Sequence, residues 1–350
     1  MRSAAPSAAI TTVRPPRRPR RDAPSRADRL IIAALGHRGS RAPSLRRRLA
    51  ISVLGATVVA GALGVELAGR RGQFTAAIHA APIWILSLVV VLQLVSLIAR
   101  TEAWHVCVRA TGATVGRRPL FRAAGVGYLA SLLNGSLGVA ARIATLRRTA
   151  PHESPHVPAL MAAEVPIISV EVALTAIFSF TLVGPLGVPW WAPVIAVAIA
   201  GAAVLGLGRL SNRRQLGLWS GLAVMHSHRG RMIVFVVLGI CAQIARNWLV
   251  LHAIGVDVSL FDAIAVLIAT FTLGQLPIGP TLGPAAAVLI LGSHGVATVA
   301  AAGVLLTATA TVGSLCYAAW ALADHFGARR LALSPEPVES PEPVVAAIPA

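Results

Sequence analysis

Charged residues are scarce in this chain of 350 residues. Asp, Glu, Lys and Arg together make up 13% of it, whereas hydrophobic residues make up 56% and the mean hydropathy is +0.73. An ordinary soluble domain carries about 25% charged residues. Several windows also reach the roughly 20 apolar residues that a helix needs to cross a bilayer. The composition therefore excludes an ordinary soluble domain and predicts a polytopic membrane protein.

Acidic residues are scarcer still, since 13 Asp and Glu stand against 31 Lys and Arg, for a net charge of +18. Aromatic residues do not interleave with the basic ones and no nucleic-acid-binding motif is present, so we expect no nucleic-acid partner. The arginines gather in the N-terminal tail and between apolar runs, which is the positive-inside pattern, and only Arg70 and Arg71 violate it. We expect a multi-pass protein of the bacterial inner membrane with a cytoplasmic N-terminus.

Cysteine and enzyme motifs are also lacking. Cys107, Cys241 and Cys316 lie far apart and form neither a CxxC pair nor a metal-ligand spacing. The chain contains no GxSxG elbow, Walker loop, HExxH pair or dinucleotide-binding fingerprint. We therefore expect that the protein is not an enzyme and that it requires no metal or cofactor.

The chain divides into two polar tails and one transmembrane domain. Residues 1–48 are rich in Arg, Pro, Ser and Ala and predict a disordered basic cytoplasmic tail, and 327–350 predict a disordered Pro/Glu tail. The domain between them, 49–326, contains six apolar runs of full-span length, at 49–69, 78–99, 157–183, 189–208, 231–254 and 297–322.

Two further apolar stretches, 119–148 and 258–292, are broken in the middle. The first breaks at 134–138 and the second across 274–284, where Gly and Pro accumulate. Pro removes a backbone donor and Gly loosens a helix, and the carbonyls so exposed cannot face lipid. We expect an all-α fold of about six full spans plus two re-entrant helical hairpins, with short full spans (about eight spans in all) as the alternative.

The two halves of the domain, about 49–183 and 189–322, repeat the same landmarks in the same order. The matching segments are 98–100 and 244–246, 110–112 and 253–255, 120–123 and 260–263, and 136–141 and 281–286. With the N-terminus inside, run 78–99 leads inward and run 231–254 leads outward. The repeats are then inverted, an arrangement that points to a transport pathway between them.

Four charged residues within or beside these runs are candidate substrate-binding residues. Glu164 and Glu171 are seven positions apart and share a helix face, Arg142 lies in the second arm of the first hairpin, and Arg246 lies well inside a span. Buried charges usually face a cavity or a partner, and guanidinium binds phosphate in a bidentate manner. The alternatives are glutamates that nearby Arg or Ser groups stabilise, an Arg142 that snorkels to the inner surface, and a structural ion pair of Arg246 with one of the glutamates.

The helix breaks supply the remaining candidates. Helix N-termini that begin inside a membrane present unpaired N–H groups and a positive dipole end, which suit an anionic phosphate, although simple capping is the alternative. The candidate binding residues at the breaks are Asn134, Ser136, Gly138, Pro277, Gly279, Thr281 and Gly283.

Residues 80–322 resemble the flippase-like family named for the transmembrane region of lysylphosphatidylglycerol synthase. The matching features are Arg100 with Trp104, Asn134 and Gly135 followed by Gly138 and Arg142, Glu164 opening a span, Leu276-Pro277 with Gly279, Pro280 and Gly283, and Gly295-Val296. The resemblance implies translocation of lipid between leaflets. The soluble aminoacyl-transfer domain of the family's namesake is absent from this sequence, so we do not expect lysyl transfer.

Some positions depart from the family pattern. Members usually carry Glu soon after the Gly of both breaks, where this chain has 139–141 and 284–286 without charge, and Val165 replaces the usual Arg after Glu164. The expected function is flippase-like transport of an amphipathic anionic lipid or lipid-linked intermediate, with membrane lipids as partners. The departures favour the alternative, a non-transporting scaffold that holds an envelope-biosynthesis enzyme.

Overall fold

The computed structural model describes residues 61, 65, 69–132, 135–213, 228–273, 282–292 and 295–333. These residues form helices and no β-strand, which confirms the all-α prediction. In chain order the helices are α1 (Arg71–Ala80), α2 (Ile83–Ala110), α3 (Arg117–Ser131), α4 (Gly135–Thr149), α5 (Val157–Ala162), α6 (Val165–Phe178), a 3-10 turn (Ser179–Leu182), α7 (Val183–Leu186), α8 (Trp191–Arg213), α9 (Arg229–Ala253), α10 (Leu260–Leu273), α11 (Leu282–Leu291) and α12 (Val296–Leu333).

Four segments of the described chain are long and apolar enough to cross a membrane. They are α2, the segment Val157–Leu186 that contains α5 to α7, α9, and residues Val296–Phe326 of α12. These segments match four of the six predicted spans. The apolar part of α8, Trp191–Gly206, is shorter, and the predicted span 49–69 lies almost wholly outside the described residues.

The predicted end of the second span is wrong. Helix α2 begins after Pro82 and continues through Arg100 to Ala110, beyond the predicted end of the run at residue 99, so that only 111–116 separate it from α3. Hydropathy falls at Arg100, but the helix persists because that charge finds a carboxylate partner inside the bundle. The helix ends at Ala110, and the chain turns away at Gly112, whose φ of 85° is the left-handed conformation that Gly adopts without strain.

Helices α2 and α9 end in the same way. Gly255 follows α9 with a φ of 78°, and its N–H donates to the carbonyl of His252, while the N–H of Val256 donates to that of Leu251. Gly112 likewise donates to the carbonyl of Arg109. The end of α9 is a Schellman cap, and the end of α2 shares its left-handed Gly and the bond that this Gly donates, at a position that the sequence repeat matches.

Helices α2 and α9 pack against each other in opposite directions. Val89 of α2 shares an apolar core with Val250 of α9. Further along α2, Val106 shares a second core with Met232, near the start of α9. Residue numbers along the shared cores thus rise in α2 while they fall in α9, so the two helices run antiparallel.

Helices α3 and α4 form a close hairpin of two 15-residue arms. A Cβ added at Gly138 would lie 2.7 Å from the Cβ of Ser131 and 2.9 Å from the carbonyl oxygen of Gly127. Gly138 therefore lies inside α4 and not in the break where it was predicted. Its lack of a side chain lets the two arms touch.

The long helix α12 packs on both α3 and α11. On the α3 side, a Cβ at Gly125 would lie 2.8 Å from the Cβ of Ala321. At the same face the Nε of Arg122 donates to Asp324 at 2.6 Å. On the other side, Ala286 and Val299 belong to one buried core. Helix α12 thus connects the first hairpin to the second half of the bundle.

Candidate functional site

A break in the third apolar run positions Glu164. Helix α5 ends at Ala162, Glu164 occupies the turn, and α6 begins at Val165 with Pro166 as its second residue. Pro166 has no N–H to donate to the preceding turn, so the helix cannot run through. The turn brings the carboxylate of Glu164, which is 4% exposed, into the interior of the bundle.

Arg142 of α4 meets this carboxylate. Its Nη2 donates to Oε1 of Glu164, and the two side chains are only 6% and 5% exposed. The guanidinium carbon also lies 4.2 Å from the centre of the buried Trp104 ring, a cation–π arrangement. The alternative of an Arg142 that snorkels to the surface is therefore wrong, because the guanidinium is sealed between a carboxylate and an aromatic ring.

Arg100 and Glu171 form a second ion pair beside the first. Nη1 of Arg100 donates to Oε1 of Glu171, which lies two turns beyond Glu164 on the chain. Glu171 is 11% exposed, whereas Arg100 is 38% exposed and can be reached from outside the bundle. We name Arg100, Arg142, Glu164 and Glu171 the arginine–carboxylate cluster. It joins α2, α4 and α6 and has no net formal charge.

Two tyrosines and a threonine, which come from three helices, form hydrogen bonds next to Arg100 of the arginine–carboxylate cluster. The hydroxyls of Thr101 and Tyr128 are 3.0 Å apart, and Tyr128 donates to the carbonyl of Leu97 at 2.9 Å. The hydroxyl of Tyr317 donates to Thr101 at 3.2 Å. These bonds hold α3 and α12 on α2 and fix the turn of helix that carries Arg100.

Arg246 belongs to a different group of polar residues, at the crossing of α2 and α9. Its Nη1 donates to Oε1 of Gln93, and Nε2 of Gln243 donates to the same oxygen and to Oγ of Ser96, both at 3.0 Å. We name Gln93, Ser96, Gln243 and Arg246 the crossing cluster. An ion pair of Arg246 with Glu164 or Glu171 does not form, because those carboxylates pair with Arg142 and Arg100.

An apolar groove lies between α4 and α5. Its volume is about 580 Å³, and Arg147 and Arg148 lie at one end of it. The apolar lining consists of Val139, Ala140, Ile143, Ala144, Val157 and Met161. Both arginines are exposed and form no ion pair within the described part of the chain.

The structure describes only part of the predicted site. Asn134, Pro277, Gly279 and Thr281 lie outside the described residues, as does the side chain of Ser136. Gly283 lies in the first turn of α11. Among the candidates that the structure does describe, Arg142 pairs with Glu164, Glu171 pairs with Arg100, and Arg246 donates to Gln93.

Sequence reasoning missed Gln93, Gln243 and the pairing of Arg100. The available signal was an uncharged polar residue inside an apolar run, which both glutamines provide. Arg100 was read as the end of a span because a charge normally marks one.

No family model, curated protein or solved structure matches this chain. Among the described residues, no three His, Cys, Asp or Glu side chains come together in a group that could hold a metal ion. The chemistry of the described site is that of guanidinium groups paired with carboxylates beside an apolar groove, together with a separate group of amides around Arg246.

Proposed function

We propose that this protein moves an amphipathic anionic lipid, or a lipid-linked intermediate, between the leaflets of a bacterial inner membrane. The observation that carries the proposal is the sealed pair of Arg142 and Glu164 next to an apolar groove with arginines at its end. Charges buried in a membrane domain are costly and usually belong to a substrate pathway. An anionic lipid has the matching chemistry, with acyl chains for the groove and a phosphate for guanidinium.

The groove supports a lipid as the substrate. Ile143 and Val139 line it from α4, the helix that also carries Arg142. An acyl chain in the groove contacts apolar side chains, while its headgroup phosphate meets Arg147 and Arg148 at the end. Guanidinium binds phosphate through two parallel hydrogen bonds, which favours it over a neutral headgroup.

We infer that the arginine–carboxylate cluster provides the route by which the headgroup phosphate passes from the groove into the helix bundle. In the empty protein each guanidinium is neutralised by a glutamate, which keeps the charges stable in a low dielectric. An entering phosphate competes with Glu171 for Arg100, the more exposed of the two arginines, and then with Glu164 for Arg142. Exchange of one anion for another keeps each guanidinium paired, and the displaced glutamate then takes up a proton, because a buried carboxylate without a partner is costly.

The proposed architecture consists of two inverted halves, each with one re-entrant hairpin. The 15-residue arms of α3 and α4 extend about 22 Å, less than the roughly 30 Å of the hydrocarbon core. Arms of this length favour a hairpin that dips into the membrane, and they are too short for two full spans. The antiparallel packing of α2 and α9 supports the inversion, and the midplane between the halves is then the crossing point.

Reconstituted vesicles test the proposal. Fluorescent phosphatidylglycerol that becomes accessible to an impermeant reductant reports movement between leaflets. We expect wild-type protein to accelerate this movement, and Arg142→Ala with Arg246→Ala to abolish the acceleration. The matched control is Arg229→Ala with Arg231→Ala, which removes two exposed arginines of α9.

Each outcome of this experiment has a definite meaning. Equal rates for wild type and the Arg142, Arg246 double variant overturn the site assignment, provided that both elute as monodisperse proteins. Absence of movement by the wild type overturns the transport proposal. If a stable enzyme then co-purifies with the protein, the scaffold alternative takes its place.

A further inference from the structure

Arg246 is the one mid-membrane arginine of the described chain whose charge the protein leaves uncompensated. Arg100 and Arg142 each have a glutamate, but the hydrogen-bond partner of Arg246 among the described residues is the neutral amide of Gln93. Arg246 is only 8% exposed, and its Nε is buried without a hydrogen-bond partner among the described residues. Arginine stays protonated in proteins, so burial cannot remove the charge.

The crossing cluster has more free donors than free acceptors, since Oε1 of Gln243 is its one side-chain oxygen without a hydrogen bond among the described residues. Oε1 of Gln93 already accepts from both Arg246 and Gln243. Oγ of Ser96 accepts from Gln243, which leaves its hydroxyl hydrogen to donate. The remaining hydrogens are those of the guanidinium, of the Gln93 amide and of the Ser96 hydroxyl. A ligand that satisfies them must be an acceptor.

We propose that the crossing cluster is an oxyanion site in which Arg246 binds a phosphate group, with Gln93 and Ser96 as further donors. The inference rests on the proposed function and deepens it, because it names the group that holds the headgroup once the lipid has passed the arginine–carboxylate cluster. The shared chemistry is a phosphate, which either a lipid headgroup or free inorganic phosphate provides.

A cation does not fit this site, and an anion fits it better than a neutral ligand. A buried, unpaired charge costs several kcal/mol, and a second positive charge beside Arg246 would raise that cost. A phosphate lowers it through charge-assisted hydrogen bonds, which are roughly twice as strong as neutral ones. Arg100 and Arg142 have glutamate partners within the described residues, whereas Arg246 has none there and is left for an anion from outside.

Two glycines lie beside the crossing cluster, and only one of them is needed for it to form. A Cβ at Gly313 of α12 would lie 2.5 Å from Cγ of Gln93, so only glycine leaves room for that side chain as it stands. At Gly239 of α9 a Cβ would lie 3.6 Å from the carbonyl oxygen of Ser96, an ordinary contact. Gly313→Ala therefore displaces Gln93 from Arg246, while Gly239→Ala serves as its control.

The test uses the full chain in lipid nanodiscs and two probes. Binding of radiolabelled inorganic phosphate is measured by scintillation proximity, and retention of phosphatidylglycerol over phosphatidylcholine is measured by mass spectrometry. The variants are Arg246→Gln, Gly313→Ala, the control Gly239→Ala and the control Arg231→Gln on the same helix. We expect Arg246→Gln to weaken whichever probe binds by at least about tenfold, because a charged hydrogen bond is lost.

The stability of the empty protein provides a second measurement. If Arg246 has no internal anion, Arg246→Gln removes a buried unpaired charge and the melting temperature without phosphate rises or stays equal. A fall comparable to that of Arg142→Gln overturns the proposal, since it reveals an internal partner for Arg246.

The two probes separate the possible sources of the anion. Loss of phosphate binding in Arg246→Gln supports a free anion, and loss of phosphatidylglycerol retention alone supports a lipid headgroup. Equal binding of both probes by wild type and Arg246→Gln overturns the site, as does the failure of wild type to bind either. If wild type binds an anion through Arg246 but moves no lipid in vesicles, the proposed function fails while the oxyanion site stands.

Discussion

At the scale of single residues, the protein treats its buried arginines in two ways. Arg142 is enclosed by Glu164 and the ring of Trp104, so its charge is neutralised within the fold. Among the described residues, Arg246 donates only to the side-chain amide oxygen of Gln93. The two positions look alike in the sequence, as single arginines near apolar runs, but substitution should affect stability differently at each.

Arg142→Gln should strongly destabilise the protein. The change leaves the carboxylate of Glu164 buried without its guanidinium, and breaking a buried pair in this way costs about 3–5 kcal/mol. The double variant Arg142→Gln with Glu164→Gln should recover part of the loss, because it removes both charges. Unfolding in detergent, monitored by circular dichroism, gives the coupling free energy between the two positions.

Arg148→Gln is the control for this cycle, because it removes an exposed arginine from the same helix. Surface substitutions of this kind usually change stability by less than about 0.5 kcal/mol. If Arg142→Gln proves no more costly than Arg148→Gln, the ion pair does not stabilise the fold.

At the scale of helices, close backbone contact shapes the first hairpin. Gly127 and Gly138 face each other where α3 meets α4, and neither has space for a Cβ. Helix association within a membrane depends on such small residues, since lipid is as apolar as the side chains themselves. The same contact presents Arg142 to Glu164, so the packing of this hairpin and the geometry of the cluster are linked.

Gly138→Ala should therefore destabilise the hairpin. The new Cβ meets a Cβ and a backbone oxygen, neither of which can rotate away, and overpacking of this kind costs about 1–3 kcal/mol. Gly201→Ala in α8 is the control, because its Cβ meets nothing within 4 Å and Ala is the better helix former by up to about 1 kcal/mol. Melting temperatures in the same detergent should fall for the first variant and not for the second.

The helices could be predicted from the sequence more reliably than their ends and partners. Apolar runs identify the spans because burial in lipid requires about 20 such residues in a row. The end of α2 could not be predicted, because the helix continues past Arg100 only through a contact with Glu171, 71 residues away. The spacing of Glu164 and Glu171 indicated a shared face, but nothing local specifies which arginine each one meets.

At the scale of the whole molecule, the antiparallel packing of α2 and α9 is the main constraint on topology. The turn after α2 and the turn after α9 emerge at opposite ends of this helix pair. If both helices cross the membrane, Thr114 and Asp257 in those turns lie on opposite sides of it.

Cysteine labelling checks this arrangement. Thr114→Cys and Asp257→Cys are placed separately in a chain without Cys107, Cys241 and Cys316, and both positions are exposed. We expect an impermeant maleimide to label Asp257→Cys in intact cells and Thr114→Cys only in inverted membrane vesicles. Labelling of both from the same side would rule out the inverted halves.

Helix α12 is longer than the hydrocarbon layer of a membrane is thick. Its 38 residues extend about 57 Å, while the hydrocarbon layer is only about 30 Å thick. Either its final turns project beyond the membrane into water, or the whole helix is strongly tilted in the bilayer. In both cases a force on the C-terminal end of α12 is transmitted to the first hairpin, because Asp324 of α12 pairs with Arg122 of α3.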